Sequence, residues 1–224
     1  MAWSFSYNPF PREQKPAVQL KREAAIVLAL GGGFQAYFTQ NRDGSVRLDE
    51  MQVMEEVAKF ARARQPWCHH SVQIPQVALL LSTSDYHHNA KSLFPQYKGQ
   101  SQGILQCLLE NQYSVDLVSE EILAPDMSRF PVIVIPEWKN ISPVFCSDLV
   151  KYARGGGNLL VIGQETSEQF AELAGVQIQG SEFVSISLGQ GKIGFLPAAM
   201  GEEYEKNGNE NLRGQLNTAV HTLF

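Results

Sequence analysis

Between residues 76 and 200 the chain alternates short, β-rich apolar runs with amphipathic stretches, the pattern of a parallel sheet joined by crossover helices. Residues 76–82 (QVALLLS) are apolar on both faces, which predicts a strand covered by helices on either side. A polar loop is expected over 83–98 and a helix over 99–111, where Ile104, Leu105, Leu108 and Leu109 fall on one stripe. Residues 114–118 and 130–135 (FPVIVI) read as the second and third strands, the latter through its density of β-branched side chains. After a loop at 136–140, Ser142 and Pro143 stand as N-cap and first residue of a helix reaching about Arg154. Gly155, Gly156 and Gly157 end it, and residues 158–163 (NLLVIG) form the fourth strand.

Beyond that point the pattern predicts a short helix at 168–174, a short strand at 176–178, a hairpin of 183–188 with 192–196 around Gly189-Gln190-Gly191, and a last helix at 212–223. Right-handed crossovers then favour a flavodoxin-like three-layer α/β/α sandwich with a parallel sheet and a β-hairpin extension, occupying residues 71–224. In such sheets ligands sit outside the carboxyl ends of the strands, so the loops at 83–98, 119–129, 136–140 and 164–167 carry the candidate site.

Residues 1–70 read differently, as a smaller βα segment. A helix at 14–23, a buried strand at 24–30 (AAIVLAL) and a helix at 48–64 with Met51, Met54, Val57 and Phe60 or Ala61 on one face are expected. So small a segment cannot bury a core of its own. Either it packs on the larger domain or it is the remnant of something larger.

Composition narrows the functional classes. With Lys+Arg 18 against Asp+Glu 23 the 224-residue chain carries a net charge of −5, which gives a nucleic-acid backbone no encouragement. The longest apolar run, 24–30, is far shorter than the roughly 20 residues of a membrane span. Cys68, Cys107 and Cys146 are too dispersed for a disulfide framework, and Cys107 and Cys146 sit mid-helix as small core hydrophobes.

No complete catalytic or cofactor motif emerges. Gly189, Gly191 and Gly194 match a dinucleotide spacing but lie inside a predicted hairpin instead of joining strand to helix. Ser82-Thr83-Ser84 ends the first strand without a following glycine to close on a phosphate. Cys68-His69-His70 and Asp85-Tyr86-His87-His88 contain metal-ligand types, yet a strand roughly 20 Å long intervenes, so no shared metal site is expected. The remaining candidates for ligand binding are Asp85, Tyr86, His87 and His88 in the first loop and Glu137 and Trp138 in the third. Trp3, Gln35 and Tyr37 belong to an aromatic-rich N-terminal set with Phe5, Tyr7, Phe10 and Phe38, which either covers the small segment or offers rings for sugar stacking.

Three stretches together resemble a family: 25–37 (AIVLALGGGFQAY), 57–71 (VAKFARARQPWCHHS) and 130–163 (FPVIVIPEWKNISPVFCSDLVKYARGGGNLLVIG). They are similar to multidomain glycoside hydrolases in which a (β/α)8 barrel precedes a domain like the β-galactosidase trimerisation domain, itself related to class I glutamine amidotransferases. The strand–Pro–helix–YxRxGGxLL pattern is matched by Pro136, Tyr152, Arg154, Gly156, Leu159 and Leu160. The resemblance implies that residues 1 to about 64 are the last barrel segments, with 24–30 as the eighth strand, and that both chain ends are cuts. A whole barrel takes about 250 residues. Glycosidases need two carboxylates flanking the scissile bond, and the implied barrel piece offers none before Asp43. The second domain lacks the cysteine, histidine and glutamate of its amidotransferase relatives and resembles the non-catalytic branch, which braces the barrel and mediates oligomer contacts. The expected function is therefore a structural or assembly role in carbohydrate breakdown, without a cofactor, with self-association or packing on a missing barrel. The competing readings are a sugar-binding α/β module, and a hydrolase or amidotransferase relative using Asp85, His87 or His88 and Glu137.

Overall fold

A computed structural model of the protein describes residues 2–4, 14–37, 41–90 and 100–224, with 2–4 and 36–37 described by their backbone. The chain divides into two units, Met1–Ile74 and Pro75–Phe224.

In the first unit, β1 (Ala2–Ser4) is followed by α1 (Ala17–Ala29), β2 (Gln35–Tyr37) and α2 (Leu48–Cys68). β1 and β2 pair in parallel, Ala2 opposite Gln35 and Ser4 opposite Tyr37, so α1 is a crossover helix. The strand expected at 24–30 is therefore a correction: those residues complete a single helix beginning at Ala17. A seven-residue apolar run cannot by itself distinguish strand from buried helix. Here the preceding Leu, Lys, Arg and Glu are strong helix formers, and Leu20 and Ala24, four apart, are the buried pair while Ile26 and Leu30 face outward. Gln19 and Lys15 donate to the Glu23 carboxylate at 2.8 and 3.0 Å. Leu20 meets Val57 of α2 in a small cluster completed by Phe34, Val53 and Met54. Buried Val57 and half-buried Met54 lie on the helix face that the sequence pattern marked.

The second unit holds β3 (Val77–Leu81), α3 (Thr83–Asn89), α4 (Gln100–Glu110), β4 (Val115–Ser119), α5 (Glu120–Leu123) and a 3-10 turn over Ala124–Arg129. It continues with β5 (Val132–Ile135), α6 (Pro143–Arg154), β6 (Asn158–Ile162), α7 (Gln164–Ala174), β7 (Val184–Leu188), β8 (Gly191–Leu196), α8 (Gly201–Asn207) and α9 (Glu210–Leu223). The six strands form one sheet in the order β4-β3-β5-β6-β8-β7, all parallel except the β7–β8 hairpin. This is the flavodoxin-like α/β sandwich with its hairpin at one edge; β8 also pairs in parallel with β6.

The inner strands β3, β5 and β6 are apolar along nearly their whole length because alternate residues feed two cores. Leu80, Ile133, Ile135, Leu159 and Val161 face Phe145 and Leu149 of α6 and Phe170 of α7. Leu79, Val134, Leu160 and Ile162 face Ile104 and Leu108 of α4 and Leu216 and Val220 of α9. Helix α8, absent from the sequence pattern, crosses α4 so closely that a Cβ at Gly103 would stand 1.8 Å from the Gly201 carbonyl oxygen.

Several loops expected at the sheet edge are helical. The first begins with α3, because the Ser82 hydroxyl accepts from the Asp85 amide at 3.1 Å and caps it. Of the loop expected at 119–129, Ser119 ends β4 and 120–129 form α5 and the 3-10 turn, while 164–167 are the first turn of α7. Ser142 precedes α6 without a side-chain cap, and no strand forms at 176–178. Among the described residues no helix is long and apolar enough to cross a membrane.

Candidate functional site

The sheet order places a topological switch point between β3 and β5: from β3 the chain proceeds to β4 on one side, and β5 adds on the other. In open α/β sheets the crevice beyond the carboxyl ends of those two strands is where ligands bind. Residues 82–85, 119–120 and 136–140 surround it here.

Trp138 occupies this crevice. Its side chain is 4% exposed, packs in the core beneath α6, and its indole N–H donates to the Leu80 carbonyl at 2.7 Å. The Trp138 carbonyl in turn accepts from the Thr166 hydroxyl at 3.2 Å. Asp85, at 8% exposure, bonds from the β3 side to the β5 side. Asp85 Oδ1 accepts from the Asn140 backbone amide at 3.0 Å and from Asn140 Nδ2 at 2.8 Å. Oδ2 accepts from Asn89 Nδ2 at 2.8 Å. Both oxygens of this carboxylate are thus committed to amide donors.

A second carboxylate is spent in the same way. Glu120, just after β4 and 7% exposed, accepts from the Ser82 hydroxyl at 2.6 Å and the Ser84 hydroxyl at 2.8 Å. Thr83 donates to Glu121 at 2.9 Å alongside. Glu120 is the residue that sequence reasoning missed; the signal lay in a carboxylate directly after a strand, opposite a Ser-Thr-Ser run.

Glu137 turns the other way along the edge. Its Oε1 accepts from the Met200 and Gly201 amides at 3.0 and 3.4 Å, holding the segment that leads into α8. Its Cγ lies 2.5 Å from where a Cβ on Gly163 would be, and Gly163 has a φ of +92°, so both backbone conformation and space at the end of β6 require glycine.

Tyr86 is half-buried, with its ring edge-on to His87 at 5.5 Å between centroids, while His87 and His88 are exposed. The structure brings Asp85 together with Asn140, and does not bring His87 or His88 to its carboxylate. Trp3, Gln35 and Tyr37 belong to the other unit: they lie in β1 and β2, Gln35 exposed, with the Trp3 and Tyr37 side chains outside the described residues, as are Phe5, Tyr7, Phe10 and Phe38.

Nucleophiles are equally constrained. Burial, and then the Glu110 carboxylate, push the Cys107 thiol up to about 12; burial, and then Glu120, push Cys146 up to about 11. Neither forms a thiolate near neutral pH. The Ser167 hydroxyl is fully buried and holds no hydrogen bond among the described residues. Among the described residues no three His, Cys, Asp or Glu side chains group so as to hold a metal ion.

The sequence matches no protein-family profile and no curated protein. Solved structures do match. α-L-Fucosidase isoenzyme 2 from Paenibacillus thiaminolyticus superposes with a TM-score of 0.75 at 17% identity, over 99% of this chain and 44% of that one. The β-galactosidase from Bacillus circulans sp. alkalophilus gives 0.66 at 12% identity, over 98% of this chain and 44% of that one. The β-galactosidase of the Antarctic haloarchaeon Halorubrum lacusprofundi gives 0.64 at 14%, over 96% and 42%. The chain shares its fold with part of these glycoside hydrolases and spans less than half their length.

Proposed function

We propose that this chain is a non-catalytic structural and assembly portion of a glycoside-hydrolase-like protein, its second unit corresponding to a trimerisation-like, amidotransferase-related domain and its first to the end of a barrel. The observation that carries the reading is the filled switch point: where sheets of this topology take ligands, Trp138 occupies the space and Asp85 bonds across it to Asn140. A glycosidase needs one carboxyl group free to donate a proton and another free to attack or to activate water. Asp85 and Glu120 have their oxygens committed to amides and hydroxyls. Further support comes from the fold neighbours, an α-L-fucosidase and a β-galactosidase, which extend well beyond the aligned part. The parallel β1-α1-β2 crossover followed by α2 fits two successive βα units of a barrel, with β2 in the place first assigned to 24–30.

The test is a turnover assay of the intact chain on aryl β-galactosides, α-L-fucosides and β-mannosides. No release of the aryl group above the buffer rate is expected. Hydrolysis that disappears in Asp85→Asn or Glu120→Gln while the fold persists would overturn the reading.

A further inference from the structure

We infer that the β4 edge of the sheet is a two-fold interface for a second copy of this chain, β4 pairing antiparallel with β4 of the copy so that the two sheets join into one. The interface gives the assembly role proposed above, on which it rests, a surface, a partner and a register.

The sheet ends at β4, whose strand partner among the described residues is β3 alone. A terminal strand presents backbone donors and acceptors along its open side, and what completes it is another extended strand. Apolar exposure gathers at the same place. Among the described residues of the second unit the exposed large hydrophobic side chains are Leu109, Leu117, Ile122, Val144, Leu173 and Phe224. Leu117 is in β4 itself, and Leu109 and Ile122 are on the helices directly before and after it. Phe224 stacks at 6.0 Å on Tyr113, two residues before the strand. Leu109 is also aimed at this edge. Gly103 and Glu110 mark the side of α4 that meets α8, and at about 100° per residue Leu105 and Leu109 fall on the side turned away from it. Since α9 packs on β6, β7 and β8, the side of α4 turned away from α8 and α9 is the β4 side. The opposite edge differs: β7 turns Ser185 and Ser187 outward, and no large hydrophobic is exposed on β7 or β8.

Faces and charges fix the register. Val115 packs toward α4 and Val118 toward α6, so Leu117 shares the α4 face with Val115, and Asp116 the α6 face with Val118. A two-fold axis perpendicular to the sheet keeps each face on its own side, so residues directly opposite one another must share a face. Centring the pairing on Asp116 sets two carboxylates against each other, and centring it on Val118 sets Asp116 against Glu120. Centring it on Leu117 avoids both: Leu117 meets Leu117 of the copy, Asp116 meets Val118 and Val115 meets Ser119, which pairs the whole strand. Asp116, the one charged side chain of β4, is also met by Arg129 of its own chain at 3.6 Å. The edge therefore lacks the isolated charge that keeps other edge strands apart.

The experiment is analytical ultracentrifugation of the intact chain across a concentration series. So short an interface predicts a reversible dimer with a dissociation constant on the order of 10–100 µM. Leu117→Lys sets two ammonium groups opposite each other, and Leu117 belongs to neither core, so the variant should keep the fold and weaken the dimer at least about tenfold. In a Cys68→Ser background, Leu117→Cys should give a disulfide-linked dimer under mild oxidation, because opposite Cα atoms stand about 4.5–5.5 Å apart. Val144→Cys, also exposed but on α6, should not. A chain monomeric at every concentration overturns the inference. So does an oligomer that Leu117→Lys leaves unchanged, or one that cross-links no better through Leu117→Cys than through Val144→Cys; either would leave the assembly role standing and remove only this edge. The non-catalytic reading is decided separately, by the turnover assay.

Discussion

Replacing Asp85 by alanine removes the acceptor at the centre of the switch point. Three donors lose their partner at once, the Asn140 backbone amide and the Nδ2 groups of Asn140 and Asn89, at 3.0, 2.8 and 2.8 Å. Hydrogen bonds to a charged acceptor contribute about 1.5–3 kcal/mol each, but such losses are not additive, because the freed amides of half-buried Asn140 and exposed Asn89 regain water in part. A net destabilisation of about 3–5 kcal/mol follows, the cost of leaving three neutral donors only partly rehydrated. Asp85→Asn keeps one carbonyl facing Asn140 and should cost only about 1–2 kcal/mol. The assay is urea denaturation followed through the indole resonance of Trp138, which reports the affected layer. With a slope near 2 kcal/mol per molar, Asp85→Ala should lower the midpoint by roughly 1.5–2.5 M. A loss below about 0.5 kcal/mol for Asp85→Ala would refute the reasoning, because it would mean that the carboxylate is not holding the two strand ends together.

Gly163→Ala should destabilise the second unit by about 2–3 kcal/mol, seen in thermal melting, since its φ of +92° disfavours any side chain and the new Cβ would stand 2.5 Å from Glu137 Cγ. Thiol labelling of the native chain at mildly alkaline pH should modify Cys68 and spare Cys107 and Cys146, whose thiols are pushed up to about 12 and about 11; all three should react after unfolding. Burial, and then its hydrogen bond to Glu110, push the Tyr204 hydroxyl up from 10.0 to about 12. The native state therefore holds that proton more tightly than the unfolded chain, so its contribution is full below pH 10 and is lost as pH rises through about 12. Denaturation curves of the wild type and Tyr204→Phe should converge over that window.

The second unit was legible because its strands are bounded by turn residues and its apolar runs feed two cores, a demand that only β3, β5, β6 and β8 in a covered sheet satisfy. The first unit misled for a definite reason. Residues 24–30 are as apolar as a buried strand, but their pattern continues from Leu20 with helical spacing, and the strand that follows is only three residues long. At the rim, Asp85 and Trp138 were identifiable as residues at strand ends. That Asp85 pairs with Asn140, 55 positions away, was not, because nothing local specifies that partner. Helices α3 and α8 were missed where a single cap or a glycine contact decides the structure: the Ser82 hydroxyl in one case, the approach of Gly103 to Gly201 in the other.

If the rim carboxylates are braces, Ser82 and Glu120 must be energetically coupled, and a double-mutant cycle between them measures that coupling. Ser82→Ala, Glu120→Gln and the double variant are compared by urea denaturation, the 2.6 Å contact being buried on both sides. A coupling of about 1–3 kcal/mol is predicted. Additivity to within about 0.5 kcal/mol would contradict it, since Glu120 would then be held for something other than its bond to Ser82.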